Sequence, residues 1–370
     1  MPLIDRLILR EILVPLGVGI LAILQLLVIL QLLQLNEIVF GSAVTLLDLG
    51  RLTLALAPHF LVVAVPLAFM LGVQLGIGRL AADRELIALS AAGVHPLRLY
   101  RVPIALACVL AVAVSFLARQ AEPWGLRELN RVLNDVIKRN LQSGLTPGVF
   151  NDGLPRFMVY VGAQKGSTWK GVLIEDDVGD GAPLLAVAES GHIEDAGGDA
   201  LALRLVKGEI HRSEAHGETV ARFEEGTFLV GVQEPMWKQN RFFNTESQLP
   251  DAVMRERIAE HEKLGGPDDW AQAARLRMEI VRRWAVPFAC LVFAILGVPL
   301  ATGARGGRGS AYLITLSAFI AFYALSRVGL ALKQAGWNEW VAGLMPNAVI
   351  LMIGIAFSAR TVLRGIAKPQ

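Results

Sequence analysis

The sequence predicts an α-helical membrane protein with six transmembrane helices and an inserted periplasmic β-jelly-roll-like domain. Three observations carry this. Hydrophobic residues make up 54% of the 370-residue chain and charged residues only 18%, against about 25% charged in ordinary soluble domains. Six apolar runs are long enough to cross a bilayer, which takes ~20 helical residues. Between the third and the fourth lies a long stretch of soluble composition, in which short segments alternate apolar and polar as half-buried strands do. A disordered chain, a collagen-like chain and most soluble enzymes are excluded. The net charge of +2 gives no support to a nucleic-acid role.

The first three spans fall near 12–35, 53–78 and 102–121. A cleaved signal peptide is the alternative for the first, but its apolar core runs only about 7–15 residues and ends at a small-residue site. The run from Ile12 to Leu35 is longer and lacks that end, so it reads as a retained helix. The loop near 82–94 holds a short helix: Asp83 can cap it, Leu86, Ile87 and Leu89 are apolar, and Gly93 can end it before Pro96. Two readings fit it. It lies on the membrane surface, or it docks into a cytoplasmic partner through Leu86 and Leu89, with Arg84 and Glu85 adding charge-specific contacts.

The middle section covers 122–283, with helical flanks at 122–143 and 251–283 and a β region near 146–250. Strand character appears at Arg156–Ala163, Gly171–Glu175, Leu184–Ala188, Ala200–Val206, Glu218–Phe223 and Thr227–Val232. Gly, Asp and Asn punctuate them, as at Gly179-Asp180-Gly181 and Gly197-Gly198-Asp199. This spacing suggests an antiparallel sandwich or jelly roll. Asp268 and Asp269 can cap a helix running through Arg275–Arg283 into the fourth span. Spans four to six fall near 284–302, 310–332 and 340–359, which divides the chain into 1–121, 122–283 and 284–370.

Basic residues set the orientation. Arg6, Arg10, Arg79, Arg84, Arg98, Arg101, Arg305, Arg308, Arg360, Arg364 and Lys368 fall on one set of short loops and ends, and little more than Arg51 and Lys333 on the other. The positive-inside rule puts the rich set, and both termini, in the cytoplasm. The middle section then lies across the membrane, since long domains translocate regardless of charge.

No residues are assigned to catalysis, to a metal or to a cofactor. Gly76-Ile-Gly78-Arg-Leu-Ala81 matches a dinucleotide fingerprint on paper, but it ends a membrane span instead of joining a strand to a helix. Small residues at a helix interface explain it better. Gly303-Ala-Arg-Gly-Gly-Arg-Gly-Ser310 lacks the lysine of a nucleotide-binding loop. His261-Glu262 begins like a zinc-protease helix without a second histidine. Histidines 59, 95, 192, 211 and 216 have no ligand spacing, and no Gly-x-Ser-x-Gly elbow occurs. Cys108 and Cys290 sit in apolar runs and read as small buried hydrophobes. Charge inside the spans is sparse: Arg327 is the main candidate, and Gln25, Gln31, Gln34 and Gln74 are polar only. A path for largely apolar cargo such as a lipid does not need such charges. Glu279-Ile-Val-Arg282-Arg283-Trp284 stands at the outer mouth of span four. It reads either as interfacial anchoring or as a phosphate clamp built from Arg282 and Arg283.

Four stretches resemble a known family: Glu85-Leu-Ile-Ala-Leu-Ser-Ala-Ala-Gly-Val, Leu145-Thr-Pro-Gly-Val-Phe150, Glu279–Arg283, and Val298-Pro-Leu300 followed by Arg305-Gly-Gly-Arg308. With the layout of three spans, a β domain and three spans, the chain resembles the LptF/LptG family of lipopolysaccharide-export permeases, the LptF side more than the LptG side. The resemblance implies a heterodimer with an LptG-like second permease subunit and two copies of an LptB-like ATPase subunit. Lipopolysaccharide would leave the outer leaflet of the inner membrane and pass through the β domain to an LptC-like periplasmic protein and then LptA. Glu85 and its neighbours would form the helix that couples to the ATPase. In one respect the sequence departs from the family: Asn36-Glu37, at the outer end of span one, lacks a basic residue for lipid phosphate. A jelly-roll groove for acyl chains would be lined from Phe157–Val161 and Ala200–Val206, with Tyr160 and Leu203 as candidates. The alternatives are a membrane-anchored β-domain scaffold with no lipid path and a membrane-embedded lipid-modifying enzyme.

Overall fold

The computed structural model describes residues 3–34, 45–142, 147–154, 157–165, 168–176, 184–195, 200–214, 217–231, 245–303 and 307–364. Of the expected features, Asn36-Glu37, Arg305 and the Gly-Asp turns at 179–181 and 197–199 lie outside these residues. Described helices are α1 (Leu3–Gln34), α2 (Leu46–Ala82), α3 (Glu85–Ala91), α4 (Arg98–Phe116), α5 (Glu122–Gln142), α6 (Asp251–Leu264), α7 (Pro267–Gly303), α8 (Gly307–Gln334) and α9 (Glu339–Arg364). Six helical segments are long and apolar enough to cross a membrane: α1, α2, α4 continued into α5, α7, α8 and α9. The chain folds as two compact units. One comprises 1–30, 56–126 and 246–370, and the other 31–55 and 127–245.

In the helical unit, close approaches depend on small residues. A Cβ on Gly76 would collide with the backbone of Glu11, and one on Gly72 would press on Ile12 and Leu16, so α1 and α2 meet nearly backbone to backbone. The stretch that resembled a dinucleotide motif is therefore a helix–helix contact. A central core is built from Ile8, Ile12, Phe69, Val73, Cys290 and Val298, among others. Pro267 starts α7 with Asp268 and Asp269 in its first turn, and the helix runs unbroken for 37 residues. At 1.5 Å per residue that is ~55 Å, far more than a bilayer core requires.

In the other unit, six strands form one antiparallel meander in the order β1-β2-β3-β4-β5-β6. They are β1 (Phe150–Leu154), β2 (Phe157–Lys165), β3 (Thr168–Asp176), β4 (Leu184–Asp195), β5 (Ala200–Glu214) and β6 (Gly217–Gly231). A crease crosses five of them. The ladders lapse at Gly162 and Gly171, Glu189, Lys207 and Glu224, yet keep the same pairing offset on both sides. Gly171 and Lys207 have φ of 62° and 52°. A left-handed residue turns the strand so that the next side chain returns to the face just used. Buried residues step by three across the crease instead of by two, from Trp169 to Val172 in β3, where Gly171 is left-handed, and from Ala188 to Gly191 in β4, which has no left-handed residue of its own. One face thus stays apolar along the whole sheet. Its core is Val159, Val161, Trp169, Val172, Ile174, Ala186, Ala188, Leu203 and Leu205. Phe223 closes the crease: its ring fills the space a side chain on Gly208 or Gly226 would need.

Candidate functional site

Three places carry the residues the sequence singled out. The first is the turn between α2 and α4. Asp83 does not cap α3. The cap position is Arg84, at φ 60° with no side-chain hydrogen bond, and Asp83 faces Arg79 at 3.6 Å instead. Gly93 does end the helix, at φ 82°, its N–H donating to Ser90 and that of Val94 to Leu89. Leu86 is 1% exposed and belongs to the bundle core, and Leu89 packs partly against it. Of the expected docking residues, Leu86 therefore faces inward, while Arg84, Glu85 and Ile87 occupy the exposed side.

The second place is a charged cluster of the helical unit. Leu117–Ala121 forms a π-helical turn at the end of α4. Such a wide turn rotates the residues after it about the helix axis, and π turns often mark functional positions. Glu122 comes next, with 0% exposure. Its Oε1 accepts from Arg282 Nη2 at 2.9 Å and hydrogen-bonds His59 Nδ1 at 2.8 Å. Arg282, 28% exposed in its side chain, also donates to both oxygens of Glu279, at 2.8 and 2.7 Å. Arg283 is 1% exposed. Its guanidinium donates to Asp251 at 2.5 Å and to the carbonyls of Ser247 and Leu249 at 2.9 Å each. Arg119 lies over the Trp284 ring, 3.7 Å from its centroid. Buried charge is tolerated only with such partners.

Arg282 and Arg283 thus stand side by side with different surroundings. Arg283 ties α7 to the start of α6 and the segment before it, and Arg282 ties α7 to Glu122 of α5, which in turn holds His59 of α2. His59, Glu122 and Arg282 each lie about 21–24 residues from the helix end next to an Arg-rich turn, or one bilayer core of helix. The sequence reading missed Glu122 and His59. Their signal was weak: one glutamate after an apolar span and one histidine within one. Arg327, the candidate charge within the spans, is exposed and donates to Tyr323 Oη.

The third place is the apolar face of the sheet. Leu203 is on it at 0% exposure. Tyr160 is not: strand period two puts it opposite Val159 and Val161, where its ring meets Phe150 at 5.1 Å. The other face carries ion pairs, Arg204 with Glu194 at 3.0 Å and Arg222 with Glu209 at 2.6 Å.

The family model described as lipopolysaccharide export system permease LptF/LptG matches residues 6–360 of this layout, nearly the whole chain. The chain belongs to the LptF/LptG family. Curated relatives agree. The lipopolysaccharide export system permease protein LptF of Escherichia coli K12 is 23% identical over 343 residues, 86% of this chain and 84% of the relative. Its counterparts in Escherichia coli O157:H7 and Shigella flexneri match to the same extent.

Proposed function

We propose that this chain is a permease subunit of an ABC-type lipopolysaccharide exporter in the bacterial inner membrane, a transport component and not an enzyme. The observation that carries this is the match of the permease family over 6–360, on a chain whose β domain keeps one continuous apolar face. Lipopolysaccharide carries several acyl chains, and each CH₂ taken from water contributes ~0.8 kcal/mol. A carrier across an aqueous space therefore needs an apolar lining, and the face around Leu203 supplies that chemistry.

In this reading both termini are cytoplasmic and the β domain is periplasmic. An LptB-like ATPase docks on the exposed side of α3, meeting Arg84 and Glu85 around Ile87. A second, LptG-like permease subunit completes the membrane path, and an LptC-like protein receives the lipid. Lipid phosphates meet the outer mouth of the bundle at Arg282, whose side chain is partly exposed; Arg283 holds that mouth together. The test is affinity purification in mild detergent. An ABC-type ATPase and a second permease of the same family should co-purify in stoichiometric amounts. A chain that purifies alone from membranes where both partners are expressed overturns the reading in favour of a scaffold.

A further inference from the structure

Away from these sites, α7, α8 and α9 enclose an apolar groove of about 370 Å³. Leu296, Ile314, Ala318, Ile350, Ile353 and Phe357 line it, and Ser317 is its only polar residue. Leu296 and Ile350 are buried at its floor, while Ile353 and Phe357 stand exposed at its wall. The groove runs along about 10–12 Å of helix, near the depth of one leaflet of a ~30 Å bilayer core. Its lining residues lie toward the ends of α7 and α9 and the start of α8. Arg360 is exposed there, one turn beyond Phe357, with its guanidinium carbon 5.9 Å from that ring.

We propose that this groove is a binding site for one acyl chain of an anionic glycerophospholipid, with Arg360 meeting the phosphate. Two observations support this occupant, one for its chain and one for its charge. The lining offers no hydrogen bonds beyond Ser317, which suits a hydrocarbon chain and nothing more polar. The charge at its mouth is a cation, and a basic side chain at headgroup level attracts anionic lipid. The occupant is a resident lipid of the leaflet beside the Arg-rich turns, separate from the exported cargo. A chain lodged there would fill the contact between α8 and α9 and hold span five at a fixed distance from span six.

The protein is reconstituted in vesicles of phosphatidylethanolamine with a minority of phosphatidylglycerol. It is then extracted and weighed intact by native mass spectrometry. One phosphatidylglycerol should stay bound. Ala318→Phe fills the floor and Ile353→Trp narrows the wall; each should lower retention at least about tenfold, since losing two methylenes from burial suffices for that. Arg360→Gln should keep a lipid but lose about three- to fivefold of the preference for phosphatidylglycerol. A folded Ile353→Trp variant with undiminished retention overturns the site. Equal retention of both lipids by the wild type overturns the headgroup contact. A photo-crosslinker at Ala321 that captures a protein chain instead of lipid assigns the groove to a helix and overturns the proposal. None of these readouts depends on lipopolysaccharide export.

Discussion

Arg282 and Glu122 meet at 2.9 Å although 160 residues separate them in sequence. The whole β domain is inserted between them. Their contact closes the helical unit on itself, with His59 as a second partner of the same Glu122 oxygen and Glu279 as a second carboxylate for the guanidinium. Each buried charge is balanced by a residue on another helix or another turn, so no single member can be removed quietly.

Glu122→Ala is expected to destabilise the helical unit by about 3–5 kcal/mol, because Arg282 is left with one carboxylate instead of two. Glu122→Gln should cost less. The double variant Glu122→Gln/Arg282→Gln should recover part of the loss, since removing both charges removes the desolvation penalty too. Thermal unfolding of the purified protein in detergent reads this directly. Equal Tm for wild type and Glu122→Ala would show that the cluster contributes nothing to stability.

Glu85→Lys should leave stability unchanged within ~0.5 kcal/mol, as exposed charge reversals do. Coupling is a different matter. If α3 docks on an ATPase, the reversal sets like charges together and the complex weakens by several-fold in affinity. Pull-down and ATPase stimulation of the variant measure this. Leu86→Ala offers the contrast: it opens a cavity in the core and should lower Tm, at about 2–5 kcal/mol. Full export by Glu85→Lys would leave the residue a solvated turn position.

The boundaries of the β domain show how far the sequence could be read. Strands were expected to begin at Gly171 and to end at Ala188 and at Val206, and the last was split between Phe223 and Thr227. Every one of those limits falls on the crease. Alternation is a local signal, and a left-handed residue such as Lys207 breaks it by one position. The strands then continue, because their neighbours shift at the same row and keep the ladder paired. That compensation is made across strands, so no single segment displays it. The spans were legible for the opposite reason: length and apolarity are properties of one helix alone. Of the charged cluster, the Glu279–Arg283 half was legible as a local run, but Glu122 and His59 were not, because they meet Arg282 and each other only across helices distant in sequence.

Topology is tested by labelling. With Cys108 and Cys290 replaced by alanine, single cysteines at the exposed positions Lys170 and Arg222 should react with an impermeant thiol reagent in cells whose outer membrane is permeabilised. A cysteine at exposed Ala88 in α3 should react only after the inner membrane is broken. The reverse pattern would invert the orientation read from the basic loops.

The lipid path turns on the two faces of one strand. Leu203 and Arg204 are adjacent in β5, yet Leu203 is fully buried on the apolar face while Arg204 pairs with Glu194 on the other. If the apolar face holds acyl chains during transport, a photo-crosslinker at position 203 should capture lipopolysaccharide in an ATP-dependent manner, and one at position 204 should not. The same contrast holds for Val159 against Tyr160. Burial of Leu203 does not argue against this. An acyl chain that slides between Leu203 and its neighbours exchanges one apolar contact for another, so the free-energy change is small compared with exposing that chain to water. A sheet used only as a scaffold has no such exchange to make. It would give no lipid adduct at position 203 or 159 while staying folded, and the apolar face would then be an ordinary core.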